Sequence, residues 1–355
     1  MHTAVLSSLA ALGVVASAVP AANQDFPKRE DFNISYTARG LRPESMVCAP
    51  SSDLCYMSML YKPGAAQFNR KTRQITLEMS DPRFEGNLNF HASGLDLLPQ
   101  SSTDLAVVFN DASAFDSAGK NVTGTNHLVR FSLKSGKPEV VATASLTDAA
   151  GQVVGCQDVA HDSCGNAFVA CTFPGMILKV RPNGKDVERW YVNDYVSSPG
   201  QTDPGYTGVV VKGAMLLAAD QHDNKLVKFN VKEKKGSPIV IPITGNDGNV
   251  GGQSLDGVFM PEMFDGKVIL VNDNLKGVNV LYSQDGLWNE AQHRGLIEST
   301  YDAGKTNFPT GTVQIGDRVY IVHEQFTFVP NDPATPDVPL QDITGEILKR
   351  IPGKN

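Results

Sequence analysis

The 355-residue chain is poor in the features that mark the commoner enzyme classes. It has no Gly-x-Ser-x-Gly elbow, which removes the usual esterase nucleophile. No two glycines stand two apart, so there is no dinucleotide fingerprint, and no phosphate loop occurs. Neither His-Glu-x-x-His nor a Cys-x-x-Cys pair is found among seven histidines and five cysteines, which speaks against a zinc centre. Charged residues make up 19% and the net charge is −7, so nucleic acid and anionic membrane are not the expected partners. The one basic run, Lys232, Lys234 and Lys235 in "NVKEKKGSPI", reads as a solvated turn.

What is present begins with a leader. "MHTAVLSSLAALGVVASAVPAANQ" carries an apolar core from Ala4 to Val15 and a small-residue site at Ala16-Ser17-Ala18. That run is too short to span a bilayer and predicts a secretory signal over 1–18, with no membrane span after it. Residues 19–31 form a leader-like segment with a candidate dibasic site at Lys28-Arg29, and 32–355 form one domain. Secretion agrees with sequons at Asn33 and Asn121. In an oxidising compartment the cysteines allow up to two disulfides. Cys48 and Cys55 flank "APSSDL", and Cys156 and Cys171 flank the turn "HDSCGN", so each pair is a candidate across a hairpin. Unpaired buried thiols are the alternative.

The domain reads as short strands throughout. Units such as "CQDVAHDSCGNAFVACTFPGMILKV" and "SLDGVFMPEMFDGKVILVNDNLKGVNVLY" recur six times, four strands each, joined by Gly, Asp, Asn, Ser and Pro turns. Their spacing of roughly 45–60 residues is that of a propeller blade. An all-β six-bladed propeller follows, with a sandwich as the alternative. Ring closure is expected from "FNISYTARG" (32–40) completing the blade that ends in "GEILKRI" (345–351), and "DGLWNEAQHRGLI" fits one or two helical turns.

A propeller's innermost strands line its channel. Asp256 opens one of them, and a lone buried acid there is costly. The matching positions are Glu44, His91, Gln157 or Asp158, Thr207 and Thr310. Channel solvation is the plain reading for each; a polar cleft for a ligand is the functional one.

Two resemblances sharpen this. "ESMV" from Glu44 with "DLCYM" from Asp53, and "LDGV" from Leu255, resemble the gluconolactonase/senescence-marker propellers. That likeness implies a divalent cation held by a Glu, an Asn and an Asp. Glu44 and Asp256 match two of these, and Thr207 stands near the Asn position. Ca²⁺ would suit oxygen donors, but the reduced ligand set makes no bound cofactor the expectation.

A second likeness runs nearly the length of the chain. The leader, "ESMVCAP…LCYMSML", "HASGLDLLP", "CQDVAHDSCGNAFVAC", "PGMILKV" and "DNKLVKFNV" together resemble the propellers of fungal secondary-metabolite clusters. These include a trichothecene-cluster propeller protein and the hetero-Diels–Alderases of tropolone–sesquiterpenoid pathways. The resemblance implies a cofactor-independent cyclase taking terpenoid or polyketide-derived small molecules, foremost a hetero-Diels–Alderase joining a quinone-methide heterodiene to a sesquiterpene. A trichothecene-type ether-ring cyclase and a metal-dependent lactonase-like hydrolase are the alternatives, and a binding propeller without catalysis remains compatible with the fold.

Loss of water to form the heterodiene calls for a general acid and a base. The candidates are Asp256 and Tyr206 at strand entrances, His222 and His323 at ends of second strands, and His91 and Asp158. His161 reads as a turn residue. Gln157, Thr207 and Thr310 are polar contacts for substrate, and Phe173, Met176, Phe259, Met260, Met263 and Trp288 are candidates for an apolar wall or for ordinary packing between blades.

Overall fold

The computed structural model describes residues 26–34, 42–50, 52–150, 155–193, 203–326 and 337–353. The secretory signal and Ser35 of the first sequon lie outside them. Six antiparallel sheets are arranged around a common axis, as in a six-bladed propeller. Their innermost strands are Met46–Cys48, Phe90–Leu97, Gly155–His161, Tyr206–Lys212, Leu255–Phe259 and Phe308–Ile315, which we number blades 1 to 6. Blade 5 carries an additional strand, Ile243–Thr244, parallel to Ala291–Glu298.

The middle strands are buried on both faces, so their sequences are continuously apolar rather than alternating. Ala167–Phe173 and Val268–Asp273 have no exposed position. Each gap between blades holds its own apolar cluster. Tyr56 and Met79 of blade 1 meet Phe109 and Phe131 of blade 2. Every fully buried side chain of this kind contributes about 1.5–3 kcal/mol.

The ring closes as expected in kind but with a different partner. Phe32–Ile34 pairs antiparallel with Val338–Asp342, Phe32 opposite Leu340, and Ile34 joins Met57, Phe68 and Val322 in the closing cluster. "GEILKRI" does not form the blade. It supplies the short helix Thr344–Leu348, whose Ile347 packs with Ile321 and Leu270. "DGLWNEAQHRGLI" is likewise a turn followed by the strand Ala291–Glu298. Residues 26–31 lie along blade 6: Arg318 donates to the Lys28 carbonyl at 2.8 Å, and the Asp342 N–H donates to Asp31 Oδ1 at 2.9 Å.

Both hairpin cysteine pairs sit directly opposite each other, and both are bonded, Cys48 to Cys55 and Cys156 to Cys171. Cys164 is free and exposed. Asn33 and Asn121 are exposed. No helix among the described residues is long and apolar enough to cross a membrane.

Candidate active site

One residue is extra at the same point of each inner strand. In blade 4 Tyr206 pairs with Asp220 and Gly208 with Ala219, leaving Thr207 unopposed. Thr310 in blade 6 and Gln157 in blade 3 stand out the same way. Asp256-Gly257 and Ser93-Gly94 each face a single residue. In blade 1 Leu60 N–H donates to the Arg42 carbonyl and Ser58 N–H to the Ser45 carbonyl, so Pro43 and Glu44 lie opposite Met59 alone. A β-bulge bends its strand and re-aims a side chain. Six bulges in register therefore present Glu44, Ser93, Gln157, Thr207, Asp256 and Thr310 around the axis.

Glycine follows the bulged residue in four blades because the inner strands approach backbone to backbone. A Cβ on Gly208 would lie 2.5 Å from Val258 N, and one on Gly257 would lie 2.6 Å from the Thr310 carbonyl. In blade 3 the equivalent residue is Asp158. Its carboxyl accepts from Val159 N–H at 2.8 Å and, across the gap, from Val209 N–H at 2.9 Å.

On one face the ring opens into a cavity of about 570 Å³. Glu44, Ser93, Gln157, Thr207 and Asp256 line it together with Tyr61, His91, Phe115, Phe173, Gln221, Asn274 and Phe326. Tyr61, Phe115, Gln221, Asn274 and Phe326 come from the connections that follow the second strands of their blades, Phe173 ends one such strand, and His91 stands near the start of an inner strand. On the other side Glu44, Asp158, Thr207, Asp256 and Thr310 line a narrower axial cavity of about 150 Å³ that continues between Val47, Leu95, Val159 and Phe259.

Asp256 is 3% exposed. Burial pushes its carboxyl up to about 8, reinforced by Asp158 and opposed by hydrogen bonds from Asn274 and Gln157. It is therefore mostly a neutral acid at pH 7. The Gln157 amide donates to Asp256 Oδ1, and Gln157 Oε1 accepts from Thr172 at 3.0 Å, so the acid is held in place from blade 3. Burial also raises Glu44, with the neighbouring Asp256, Asp158 and Glu324 adding to the effect, and lifts Asp158 to about 7 and Glu324 to about 8. His91 is lowered by burial and stacks edge-on against Tyr61 with ring centroids 5.1 Å apart.

Asp256, Gln157, Thr207, His91, Phe173 and Glu44 thus meet at the mouth, while Asp158, Thr310, Phe259 and His161 line the axial cavity instead. The remaining candidates fall elsewhere. Tyr206 precedes Thr207 and faces the opposite way, as adjacent strand residues do; its hydroxyl donates to Asn193 Oδ1 at 2.8 Å within the packing between blades 3 and 4. His323 is fully buried, with Nδ1 2.9 Å from the Pro339 carbonyl and Nε2 2.9 Å from Ser299 Oγ, and burial lowers it to about 4. His222 stands one residue beyond the lining Gln221 and 3.8 Å from Asp203. Met260 and Trp288 belong to the core between blades 4 and 5, where the indole N–H donates to the Gly266 carbonyl at 2.8 Å. Met176 is core, and Met263 packs beside the cluster between blades 5 and 6.

The ligand set implied by the lactonase likeness does not fit. Thr207 stands near the position where the likeness has Asn, and its Oγ1 is 3.2 Å from the Asp256 carbonyl and donates to it. No three His, Cys, Asp or Glu side chains among the described residues form a metal-holding group.

Ser93 was not among the sequence candidates, yet a signal for it exists. A polar residue followed by glycine recurs as Ser93-Gly94, Thr207-Gly208, Asp256-Gly257 and Thr310-Gly311. Tyr61, Phe115, Asn274 and Phe326 were missed because they stand on connections with no common residue type.

The chain is similar to two proteins of fungal trichothecene metabolism. It is 29% identical over 316 residues to trichothecene biosynthesis protein 14 of Trichoderma arundinaceum, covering 84% of each chain. It is 27% identical over 374 residues to core trichothecene cluster protein 14 of Fusarium sporotrichioides, covering 97% of this chain and 94% of that one. Among solved structures it resembles the major Malassezia sympodialis allergen Mala s 1 with a TM-score of 0.73 at 22% identity, over 88% of this chain and 95% of the other. The family model described as Mal s 1 allergenic protein-like matches residues 19–296, and the chain belongs to that family.

Proposed function

We propose that this propeller is a cofactor-independent cyclase of fungal secondary metabolism, acting in the mouth cavity by acid-assisted loss of water from a hydroxylated precursor. The observation that carries the reading is Asp256, a buried carboxyl held neutral near pH 7 on the floor of an aromatic-walled pocket. A neutral carboxylic acid in an apolar site is a proton donor that solvent does not level.

The finer reading is a hetero-Diels–Alder reaction. Asp256 protonates the hydroxyl of an ortho-hydroxymethyl phenol or tropolone, the carbon–oxygen bond breaks and water leaves. The ring hydroxyl sheds its proton to solvent at the open rim, where Asp116 is exposed. The neutral quinone methide then forms one carbon–carbon and one carbon–oxygen bond with a sesquiterpene alkene, with no further proton change. Tyr61, Phe115, Phe173 and Phe326 hold the two partners face to face. Ser93 Oγ accepts from Asn110, which leaves its O–H to donate to the heterodiene oxygen. Ether-ring closure is the second reading, favoured by the likeness to trichothecene-cluster proteins. It uses the same acid, with a substrate hydroxyl in place of the alkene. The exposed Asn33 and Asn121 and the two cross-strand disulfides support a secretory route for the chain.

The test is to incubate the purified protein with ortho-hydroxybenzyl alcohol and a macrocyclic sesquiterpene, and separately with an allylic sesquiterpene diol, and to follow products by mass spectrometry. Product above the spontaneous rate that Asp256→Asn abolishes supports the reading. No acceleration with either substrate set overturns it.

A further inference from the structure

The axial cavity has no part in the scheme above, yet Glu44, Asp158, Asp256 and Thr310 stand at one part of it and Asp96 and His161 at another, with Val47, Leu95, Val159 and Phe259 among the apolar walls. It meets the mouth at Glu44, Thr207 and Asp256, which line both spaces. Its volume of about 150 Å³ leaves room for several waters. Four buried polar atoms of its lining residues have no hydrogen-bond partner: Glu44 Oε2, Thr310 Oγ1, Thr312 Oγ1 and His161 Nε2. Buried polar atoms are almost always paired, so such atoms around a cavity are partners for water.

A path leads out at the far end. Asp158 stands on the axis where four blades have glycine. His161 is three residues further along the same strand, about 10 Å away at the rise of a β-strand. The His161 side chain is 1% exposed, but its Nδ1 lies 2.9 Å from Asp96 Oδ2, and the Asp96 side chain is 28% exposed. Asp96 also accepts the His161 backbone N–H at 2.8 Å, which fixes the ring against it. The order from far face to mouth is therefore Asp96, His161, the axial space with Asp158, and Asp256.

We propose that the axis is a proton inlet: the Asp96–His161 pair and Asp158 pass protons from the far face of the propeller through axial waters to Asp256. The inference rests on the acid role of Asp256 argued above. In each turnover Asp256 gives one proton to the departing water and the substrate's ring hydroxyl releases one at the rim. Asp256 must regain a proton while product fills the aromatic mouth. The inlet supplies it from behind, so the count balances with one proton in at the far face and one out at the rim. Burial favours holding a proton on Asp158 and the neighbouring Asp96 adds to it, while the other ionisable groups facing it are Asp256 and Glu44.

The experiment separates loading of the acid from its reloading. Unmodified protein, Asp158→Asn and His161→Ala are mixed rapidly with ortho-hydroxybenzyl alcohol and the sesquiterpene, and the first turnover is compared with the steady state. Asp256 starts protonated, so both variants are expected to keep the first turnover within about twofold and to lose about tenfold or more in the steady state. Added imidazole should restore His161→Ala, because a small base entering the far opening replaces the lost ring. A purely structural role for Asp158 as acceptor of the Val209 N–H would lower the melting temperature and slow both phases alike, and would overturn the proposal. Unchanged steady states would also overturn it. Should a variant fail to fold, a proton inventory on the unmodified protein decides: a curved dependence on deuterium fraction in the steady state supports a chain of several protons, and a linear one refutes it. Absence of any first turnover in the unmodified protein refutes the cyclase reading instead.

Discussion

Replacing Asp256 by Asn should make the protein both more stable and less active, and the two effects come from one cause. The unfolded chain releases this proton near pH 4 and the folded chain near pH 8. Between those values the folded state holds the extra proton, so native stability falls as pH rises and the fall ends only above pH 8. At pH 7 the deficit relative to a side chain that does not titrate is about 4 kcal/mol. Asn keeps the volume and an acceptor for the Gln157 amide, and its own amide hydrogens face Asn274, whose buried Oδ1 has no partner. Imperfect pairing of that amide costs about 1–3 kcal/mol, which leaves a net gain of about 1–3 kcal/mol at pH 7, a few degrees in melting temperature. Loss of the proton donor should lower turnover by about 10²–10⁴-fold. Activity of the unmodified protein should fall as pH rises through about 8, where Asp256 ionises. Thermal unfolding at pH 4 and pH 8 and product formation at pH 7 test this together. A stability difference that does not grow between pH 4 and pH 8, or a variant that turns over normally, would refute the assignment of Asp256 as a buried neutral acid.

Turnover should survive EDTA, because Thr207 stands near the amide ligand position and its hydroxyl is engaged by the Asp256 carbonyl; loss on chelation and recovery with Ca²⁺ would show a functional metal. Non-reducing mass spectrometry should find two intrachain disulfides, and breaking Cys156–Cys171 should cost about 3 kcal/mol by chemical denaturation, a loop of this length setting the scale. Phe173→Ala should raise KM and also lower the melting temperature, because the ring is 7% exposed and packs against Phe115, whereas Trp288→Ala should cost about 3–5 kcal/mol and leave KM untouched in the protein that remains folded; a KM effect at Trp288 and none at Phe173 would return Trp288 to the substrate wall. Gly208→Ala should depress both stability and activity, since its Cβ would meet the Asp256 carbonyl at 2.7 Å.

The propeller was legible because its signal is local and repeated: short apolar strands, turn residues between them, and six near-equivalent units. The disulfides were legible for the same reason, since a hairpin brings its two arms together without help from the rest of the chain. Asp256, Gln157, Thr207 and Phe173 were reachable by matching one blade against another. The candidates that fall outside the cavity have a common source. Tyr206 sits beside the lining Thr207, and His323 lies on the strand that leads to the lining Phe326, but whether a strand residue faces the channel or the neighbouring blade turns on a bulge of one residue, which inverts the pattern of faces. Trp288 and Met260 look alike in the sequence to Phe173, because an apolar residue carries no mark of which gap it fills.

By itself the sequence determined the strands, the turns, the cross-hairpin cysteine pairs and the family, all of which follow from residues near one another or from their recurrence. Only the tertiary structure decided that Glu44, Asp158 and Asp256, from three blades and more than two hundred positions apart at the extremes, share one desolvated axis. Proton affinity depends on burial and on the charges nearby. Those are properties of the closed ring, and no single blade possesses them.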